Sequence, residues 1–566
     1  LIAAHTHYPD FANPELLDKI PLAAATVLDV GCAQGALGEA YLRRNPNVRM
    51  LGIDIDPESV EHAARRMTEV ICGDVEANPM PFSVPEGIDC IVYGDVLEHL
   101  RDPWGLLAAH AEYLKPDGTV LVCMPNVEHW LFALKLLNGT FDYEEQGLLD
   151  RTHLRWFTPR TMAKALVDAG LQLSDVAPRP INAEQAEQFT TALAPGLRAI
   201  GVDPADYLNR CGTLQYIWRA RKAAPPRLMI SLTMLAPQGG VSDVRVIEPL
   251  RALRTDSSIY AALQPEPEIT AVIADAPRIA VLHRPLLMGE AGLARIRTLI
   301  EKDYVIVSEF DDHPMFIEER GLPLDQLLTF KAVHAIQTST PALQDLLRLE
   351  NPEIAMFRNG IFELPPVSNF ADPEKLTMIF GALNRGEDWA PLMEVLNEVA
   401  RAVGERLNFQ VVHDQEFFDA LDTPNKNFTP MCGYAQYLKL LGASDIAFMP
   451  LADNAFNRAK SDLKFIEAGS CRVAALASDV VYADSVADGK TGLLFRNPME
   501  LRSALFRLLA YPEAARRMGE AARNYVAKER MLAYQVAART SWYRSLWERR
   551  DALNAALKAR VPALFS

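Results

Sequence analysis

Val27-Leu-Asp-Val-Gly-Cys-Ala-Gln-Gly35 runs from an apolar, β-branched stretch straight into a turn that carries an acid and two glycines. A strand that ends this way and hands over to a helix opens a βαβ unit. Gly31 and Gly35 let the backbone approach a ligand closely and start a helix whose amides face it. A glycine-rich turn alone is common in α/β proteins, and the residues that follow narrow the reading. Asp54 closes a second apolar run about 20 residues on, where a carboxylate can accept both hydroxyls of a ribose. Asp74, in Gly73-Asp-Val75, ends a third run at a position suited to reading an adenine edge. Asp95 ends a fourth in Gly94-Asp-Val-Leu-Glu-His-Leu100. Four acids at four successive strand ends line one crevice at the carboxyl edge of a parallel sheet, where open sheets bind ligands.

Around this stretch, short apolar runs alternate with amphipathic ones, the pattern of buried parallel strands joined by helices. Thr26–Val30, Arg49–Ile53, Ile88–Tyr93, Thr119–Met124, Leu171–Val176 and Thr213–Arg219 read as strands, with helices over 36–45, 57–66 and 104–114. Ala223-Ala-Pro-Pro226 interrupts the pattern, since Pro-Pro resists both helix and central strand. A second series then starts afresh, with strands at Leu228–Thr233, Thr270–Ile273, Ile279–Leu282, Val305–Ser308 and His334–Gln337. A third follows through Leu376–Phe380, Phe409–Val412, Ile446–Met449 and Val473–Ala477, and 511–560 is mostly helical. The expected fold class is α/β with three Rossmann-like units: residues 1–222, a linker at 223–226, then 227–370 and 371–530, with a helical segment over 531–566.

Bulk properties agree with this division. At 566 residues the chain is too long for one core. A net charge of -16 argues against a general nucleic-acid binder, which needs a basic face. The seven cysteines are scattered and form no CxxC pair, so a disulfide framework or zinc site is not expected and a reducing compartment is. No apolar run reaches the ~18 residues that span a bilayer. The start, Leu1-Ile-Ala-Ala-His5, has no signal-peptide pattern. The expectation is a cytoplasmic protein, with peripheral contact at the inner face of the membrane left open.

The strand-end acids and glycines resemble the class I S-adenosylmethionine-dependent methyltransferases over about residues 20–220. Leu114-Lys-Pro-Asp-Gly118 is similar to that family's turn before the fifth strand. Asp150-Arg-Thr-His-Leu-Arg-Trp-Phe-Thr158 is similar to a segment of its small-molecule and sugar-modifying members. The resemblance implies S-adenosylmethionine as methyl donor, with Asp29, Gly31 and Gly35 on its methionine and ribose side, Asp54 on the ribose and Asp74 on the adenine. Ala33 stands where many members have a third glycine. A nicotinamide-binding Rossmann domain is the structural rival, but Asp95-x-x-Glu-His99 and the Lys115-Pro-Asp-Gly118 turn are not part of its pattern. Methylation of a hydroxyl needs a base poised near neutral pH, and His99 and His153 are the candidates, with Asp95 at the same strand end. Glu98 is placed to orient either. For His99 the alternative is a cap or bond within its own helix; for His153 it is a structural place in a polar-aromatic loop. No cluster with metal-ligand spacing appears, so no metal is expected.

In the third series the informative segment is Phe456-Asn-Arg-Ala-Lys-Ser-Asp-Leu-Lys-Phe-Ile-Glu-Ala-Gly469. Lys460 and Ser461 near a helix start suit a diphosphate, and Glu467 about two turns on can reach ribose hydroxyls. This resembles the C-terminal nucleotide-binding domain of GT-B glycosyltransferases, in particular the retaining type related to family 4, over roughly 227–545. Glu467 matches the second glutamate of that family's E-x7-E element, while Ala459 replaces the first. A subset of bacterial surface-polysaccharide enzymes carries Lys-Ser-Asp-Leu-Lys here, as this chain does. The resemblance implies a nucleotide-sugar donor, with Gly239 and Gly240 of Pro237-Gln-Gly-Gly-Val241 at the donor phosphate and acceptor. It places Arg385, after Gly381, against the diphosphate beside Lys460. The other reading of Arg385 is a solvated loop charge. Asp311 and Asp312 in Glu309-Phe-Asp-Asp-His-Pro314 read as acceptor-binding groups, with structural capping and metal binding as alternatives. Trp542 and Trp547 belong to a terminal amphipathic helix.

The function expected is bifunctional. One half transfers a sugar from a nucleotide sugar, and the other methylates a hydroxyl of that sugar or of its neighbour, in a surface glycan or glycolipid. Two alternatives stand beside it: a glycosyltransferase half that only binds glycan, and a methyl acceptor that is not a sugar.

Overall fold

A computed structural model describes residues 10–180, 182–223, 226–234, 240–265, 276–318, 327–367, 374–382 and 385–565. The chain divides into two compact units: Leu1–Arg227 with Arg254–Ile259, and Leu228–Leu253 with Tyr260–Ser566.

The first unit is built on one seven-stranded sheet. Its strands are β1 (Thr26–Val30), β2 (Arg49–Asp54), β3 (Glu69–Cys72), β4 (Ile88–Gly94), β5 (Leu114–Pro125), β6 (Gln172–Pro180) and β7 (Thr213–Arg221), ordered β3-β2-β1-β4-β5-β7-β6. The order reverses at β1, where β1 pairs in parallel with β2 on one side and β4 on the other. That reversal opens the crevice above the strand ends. The buried parallel sheet expected from the βαβ pattern is present, and β7 inserts antiparallel between β5 and β6. The strand run Val27–Val30 is buried throughout because both faces of the sheet are covered, by Leu28 and Val30 on one side and Val27 on the other. Helices start where short polar side chains meet a proline. Asp56 precedes Pro57 and accepts the Ser59 amide at 3.0 Å, and Asp102 precedes Pro103 and accepts the Gly105 amide at 3.0 Å.

The second unit holds two six-stranded sheets. The first comprises β8 (Leu228–Met234), β9 (Ile259–Leu263), β10 (Arg278–His283), β11 (Val305–Glu309), β12 (Ala335–Thr338) and β13 (Ile354–Met356), ordered β13-β12-β11-β10-β8-β9. The other comprises β14 (Leu376–Gly381), β15 (Leu407–Val412), β16 (Lys426–Thr429), β17 (Ile446–Met449), β18 (Ala474–Ser478) and β19 (Gly492–Phe495), ordered β16-β15-β14-β17-β18-β19. The strand expected at Thr270–Ile273 lies outside the described residues. The terminal helices Ala533–Glu548 and Arg550–Arg560 return to the first of these sheets. There the Tyr543 hydroxyl donates to Gln337 at 2.7 Å, and His334 meets Asn554 at 2.9 Å. Two Rossmann-like halves with a helix crossing back from the second to the first are the GT-B architecture. The whole chain is α/β with three Rossmann-like sheets.

Behind Tyr543, Arg245 and Glu309 form a buried pair, Nη2 to Oε1 at 2.6 Å, each side chain at most 2% exposed. Gln337 donates to the other Glu309 oxygen. Removing one partner strands the opposite charge in a low-dielectric core. Arg245→Met is expected to cost about 3–5 kcal/mol of the second unit's stability. Calorimetry checks this as a lowered transition, with part of the loss recovered in the Arg245→Met/Glu309→Leu double variant.

Candidate active sites

In the first unit the turn after β1 is held by its neighbours' backbone. The Gly31 amide donates to the Ile53 carbonyl at 2.8 Å and Gly35 to Cys32 at 2.9 Å. Gly31 sits at φ +70°, and a Cβ there would meet Val96 Cγ2 at 2.4 Å, so only glycine fits. Ala33, in the place of a third glycine, also takes a left-handed conformation, φ 44°. Its amide donates to Asp54 Oδ2 at 2.8 Å, while the Asp56 amide donates to Asp54 Oδ1 at 2.9 Å. Each Asp54 oxygen thus keeps a second lone pair, which suits the two vicinal hydroxyls of a ribose. Asp29 is fully buried in β1, and burial, reinforced by the Asp54 charge, pushes its carboxyl up to about 7.

Asp74 follows β3 and receives Arg101 Nη2 at 3.1 Å; Glu76 beside it takes the Arg101 and Asp102 amides. Among the described residues nothing stands within 4 Å of where a Gly73 Cβ would lie. Asp95 follows β4 at φ 55°, a strained conformation for a non-glycine residue. Its Oδ1 accepts Gln215 Nε2 at 2.6 Å, and burial pushes it up to about 6 against the opposing charge of Arg179.

The two histidines named from the sequence come together. Their rings lie 4.8 Å apart, centroid to centroid, at 67°. The loop bearing His153 is pinned to the helical turn bearing His99, since the Leu154 and Arg155 amides both donate to the Glu98 carbonyl, at 2.7 and 3.0 Å. Thr152 Oγ1 bridges His99 Nδ1 at 2.9 Å and Asp150 Oδ1 at 2.7 Å. Burial lowers the His153 pKa, and nearby Asp150 works the other way. Glu98 is 2% exposed, and burial raises its pKa, with Asp95 adding to the effect. The sequence shows no metal-ligand spacing, yet the fold gathers Glu98, His99 and His153 so that one ligand atom from each lies within 4.8 Å of the others. The residues are 54 positions apart in the chain, 153 less 99, too far for a local motif to reveal.

In the second unit Gly239 lies outside the described residues. Gly240, at φ +79°, takes its place in a turn where its amide donates to Asp243 Oδ2 at 3.1 Å. Arg284 binds Asp311 Oδ1 at 2.7 Å and approaches Asp312 at 3.7 Å, and Asp312 in turn lies 3.7 Å from Lys460 Nζ. Asp311 is buried, and Arg284 holds its carboxyl below the usual range in spite of that burial. Arg385 donates to Asp388 at 3.2 Å and to Asn457 at 3.1 Å, so it is fixed rather than solvated. Burial lowers the Lys460 pKa; Asp312 offsets this, while Arg385 and Arg284 add to it. Arg284, Arg385 and Lys460 are gathered here with Asp311, Asp312 and Asp388, so each cation has a carboxylate partner.

Ser461 accepts Asn359 Nδ2 at 2.8 Å, and Ala459, where the first glutamate of E-x7-E would stand, accepts Thr340 Oγ1 at 3.0 Å through its carbonyl. Glu467 is buried and is pushed up to about 7 by burial, with Lys464 and hydrogen bonds from Tyr434 and Tyr437 opposing. Glu248 was not foreseen. Burial first, then Glu467 and Asp243, push it up to about 8. Nothing in the sequence near Glu248 marks it; it lies more than two hundred positions before Glu467.

Comparison with known proteins finds a likeness in each unit. A family model described as "Methyltransferase domain" matches residues 7–176, and one described as "Glycosyl transferase-like" matches 393–539. The ubiquinone biosynthesis O-methyltransferase of Xanthomonas campestris pv. campestris (strain B100) is 32% identical over 174 residues, 29% of this chain and 71% of that protein. The enzyme of the same name from Xylella fastidiosa (strain 9a5c) is 32% identical over 29% of this chain and 69% of its own length. Among solved structures, S. aureus TarM in complex with fondaparinux, alpha-GlcNAc-glycerol and UDP aligns at 13% identity and TM-score 0.36, covering 48% of this chain and 55% of that one. A SAM-dependent methyltransferase from Archaeoglobus fulgidus aligns at 19% identity and TM-score 0.27, covering 37% and 90%.

The chain therefore belongs to the S-adenosylmethionine-dependent methyltransferases through its first unit and carries a glycosyltransferase domain in its second. It is a bifunctional transferase, and its methyl donor is S-adenosylmethionine. Among the described residues no helix is long and apolar enough to cross a membrane.

Proposed function

We propose that the protein builds and methylates a surface glycan or glycolipid. One unit transfers a sugar from a nucleotide sugar with retention, and the other methylates a hydroxyl of that sugar or its neighbour. The observation that carries this reading is the pairing, in one chain, of a strand-end carboxylate crevice with a cluster of Arg284, Arg385 and Lys460 ion-paired with Asp311, Asp312 and Asp388. The first suits a nucleoside-bearing sulfonium and the second a nucleotide diphosphate. In the first crevice Asp29, Gly31 and Gly35 hold the methionine and ribose side, Asp54 the ribose and Asp74 the adenine edge. His153, His99 and Asp95 face the acceptor. In the second site Gly239 and Gly240, Arg385, Lys460 and Ser461 hold the diphosphate, Glu467 the ribose, and Asp311 and Asp312 the acceptor side. Asp311 works through Arg284, and Asp312 is the more exposed of the two. Attack of a hydroxyl on a sulfonium methyl needs alignment above all, which a rigid crevice supplies. Joining both enzymes raises the effective concentration of one product at the other site.

Mass analysis of the methylated product, after incubation with a panel of nucleotide sugars and glycolipid acceptors, tests the reading. A methyl group on a newly added sugar supports it; methylation of a lipid or aromatic hydroxyl alone contradicts it. Ala459 favours one second reading, in which the glycosyltransferase half binds glycan without turnover. Donor-hydrolysis assays across the same panel decide between the two, because a binding module releases no nucleotide.

Asp29 gives the methyl-donor site a pH dependence. Its carboxyl, raised to about 7, is neutral below that pH in the free protein. The donor's cationic amino group favours the ionised form, so binding at lower pH must release a proton. Affinity for S-adenosylhomocysteine, which carries the same amino group, is expected to fall as pH drops through 7, approaching tenfold per unit. Calorimetry at pH 8, 7 and 6 checks it, and Asp29→Asn removes the slope.

A further inference from the structure

We propose that Glu248 is a further donor-binding residue of the second unit, set opposite Glu467 so that the two carboxyls together grip the ribose hydroxyls of a ribonucleotide sugar. The inference rests on the nucleotide-sugar reading of that unit and deepens it, because it names the pentose of the nucleoside as a group the site selects.

The two residues come from different Rossmann-like halves. Glu248 opens the helix Glu248–Arg254, which follows β8, while Glu467 lies on the helix Leu463–Ser470, between β17 and β18. The turn that leads into Glu248 lies against the second half. The Gly240 amide is held by Asp243 at 3.1 Å, and a Cβ built on Gly240 would stand 3.8 Å from Tyr434 Cδ2. Tyr434 in turn hydrogen-bonds Glu467, which is 3% exposed. The strongest charge acting on Glu248 is that of Glu467, followed by Asp243, and Arg251 works weakly the other way.

One difference between the carboxyls decides their roles. Glu467 takes hydrogen bonds from the Tyr434 and Tyr437 hydroxyls and has the Lys464 cation close by. Glu248 Oε2 is sealed from solvent and has no hydrogen-bond partner among the described residues, so this oxygen does not bond Glu467 either. A carboxyl supplied with donors and a cation ionises before one that has none. The proton of the pair therefore rests on Glu248, pushed up to about 8 by burial and the two acids, against about 7 for Glu467. A sealed carboxyl with an unfilled hydrogen bond is costly, and a ligand oxygen relieves it.

A ribose diol has the complementary demand, since each hydroxyl donates one hydrogen bond and accepts others. Ionised Glu467 takes the donated hydrogens, and protonated Glu248 donates to a hydroxyl oxygen. A site that bonds hydroxyls in both senses rejects a nucleoside that lacks them.

The test titrates the full chain by calorimetry with UDP, GDP, ADP and CDP and with their 2′,3′-dideoxy counterparts, from pH 7.5 to 9. For the ribonucleotide that binds best, Glu248→Ala is expected to weaken affinity by about tenfold or more at pH 7.5. Binding of the matching dideoxy form should not change. In the wild type, affinity for the ribonucleotide falls as pH rises above 8, approaching tenfold per unit, because binding needs the proton that Glu248 then loses. Glu248→Gln keeps a neutral donor of the same size and cannot ionise, so it retains the affinity and lacks the slope. Thermal unfolding first shows that each variant is folded. Equal weakening of both nucleotide forms by Glu248→Ala, or an alkaline slope that persists in Glu248→Gln, overturns the role of Glu248 alone. Failure of all four ribonucleotides to bind the wild type overturns the nucleotide-sugar reading, and this assignment with it.

Discussion

Asp54→Ala abolishes methyl transfer in a chain that goes on transferring sugar. The expectation follows from what the carboxylate does. It caps the Ala33 and Asp56 amides, and its remaining lone pairs are offered to the ribose of the methyl donor. Two hydrogen bonds to a charged acceptor contribute about 1.5–3 kcal/mol each. Their loss weakens S-adenosylhomocysteine by about a hundredfold or more, before any relaxation of the turn is counted. Ala33 is held in a left-handed conformation partly by this carboxylate, so the turn should also loosen. Asp54→Asn keeps one acceptor oxygen and should fall between wild type and Asp54→Ala. Calorimetry with S-adenosylhomocysteine and release of nucleotide from sugar donors are the two readouts. Loss of both activities in a folded chain would contradict independent sites.

Lys460→Ala has the converse effect. Lys460 is half-buried, within 3.7 Å of Asp312, and shares its surroundings with Arg385 and Arg284. In glycosyl transfer the developing charge sits on the departing diphosphate, and removing one preorganised donor to such a charge typically costs about 10²–10³ in rate. Sugar transfer, or hydrolysis of the donor, is therefore expected to fall at least a hundredfold while methyl transfer is unchanged. Lys460→Arg should recover only part of it, since a planar guanidinium does not present its charge as the compact ammonium does, which now lies 4.2 Å from the Phe456 ring. Undiminished turnover in Lys460→Ala would place the diphosphate elsewhere.

What the sequence reveals of this molecule depends on burial and on distance along the chain. The central strands β1, β4 and β5 read directly from their apolar runs because both faces of a parallel sheet are covered. The edge strand β16, Lys-Asn-Phe-Thr, carries a single apolar residue and left no such trace. β13 is three residues long, and its pairing with β12 defines it more than its composition does. The antiparallel placement of β7 is a matter of topology that no local pattern records. The strand-end acids were legible because a turn joins each to an apolar run. The deep burial of the Glu98 carboxylate, the Thr152 bridge between His99 and Asp150, and the approach of Glu248 to Glu467 were not. Each joins groups whose nearness the folded chain alone creates.

The account stands on two donor sites that act separately, and binding stoichiometry tests this most directly. Full-length protein is titrated by calorimetry with S-adenosylhomocysteine, and with the nucleoside diphosphate that donor-hydrolysis screening selects, each alone and each in the presence of the other. One site per chain is expected for each ligand, with Asp54→Ala removing only the first and Lys460→Ala only the second. Competition between the two ligands for a single site, or loss of both from either substitution in a folded chain, would contradict it.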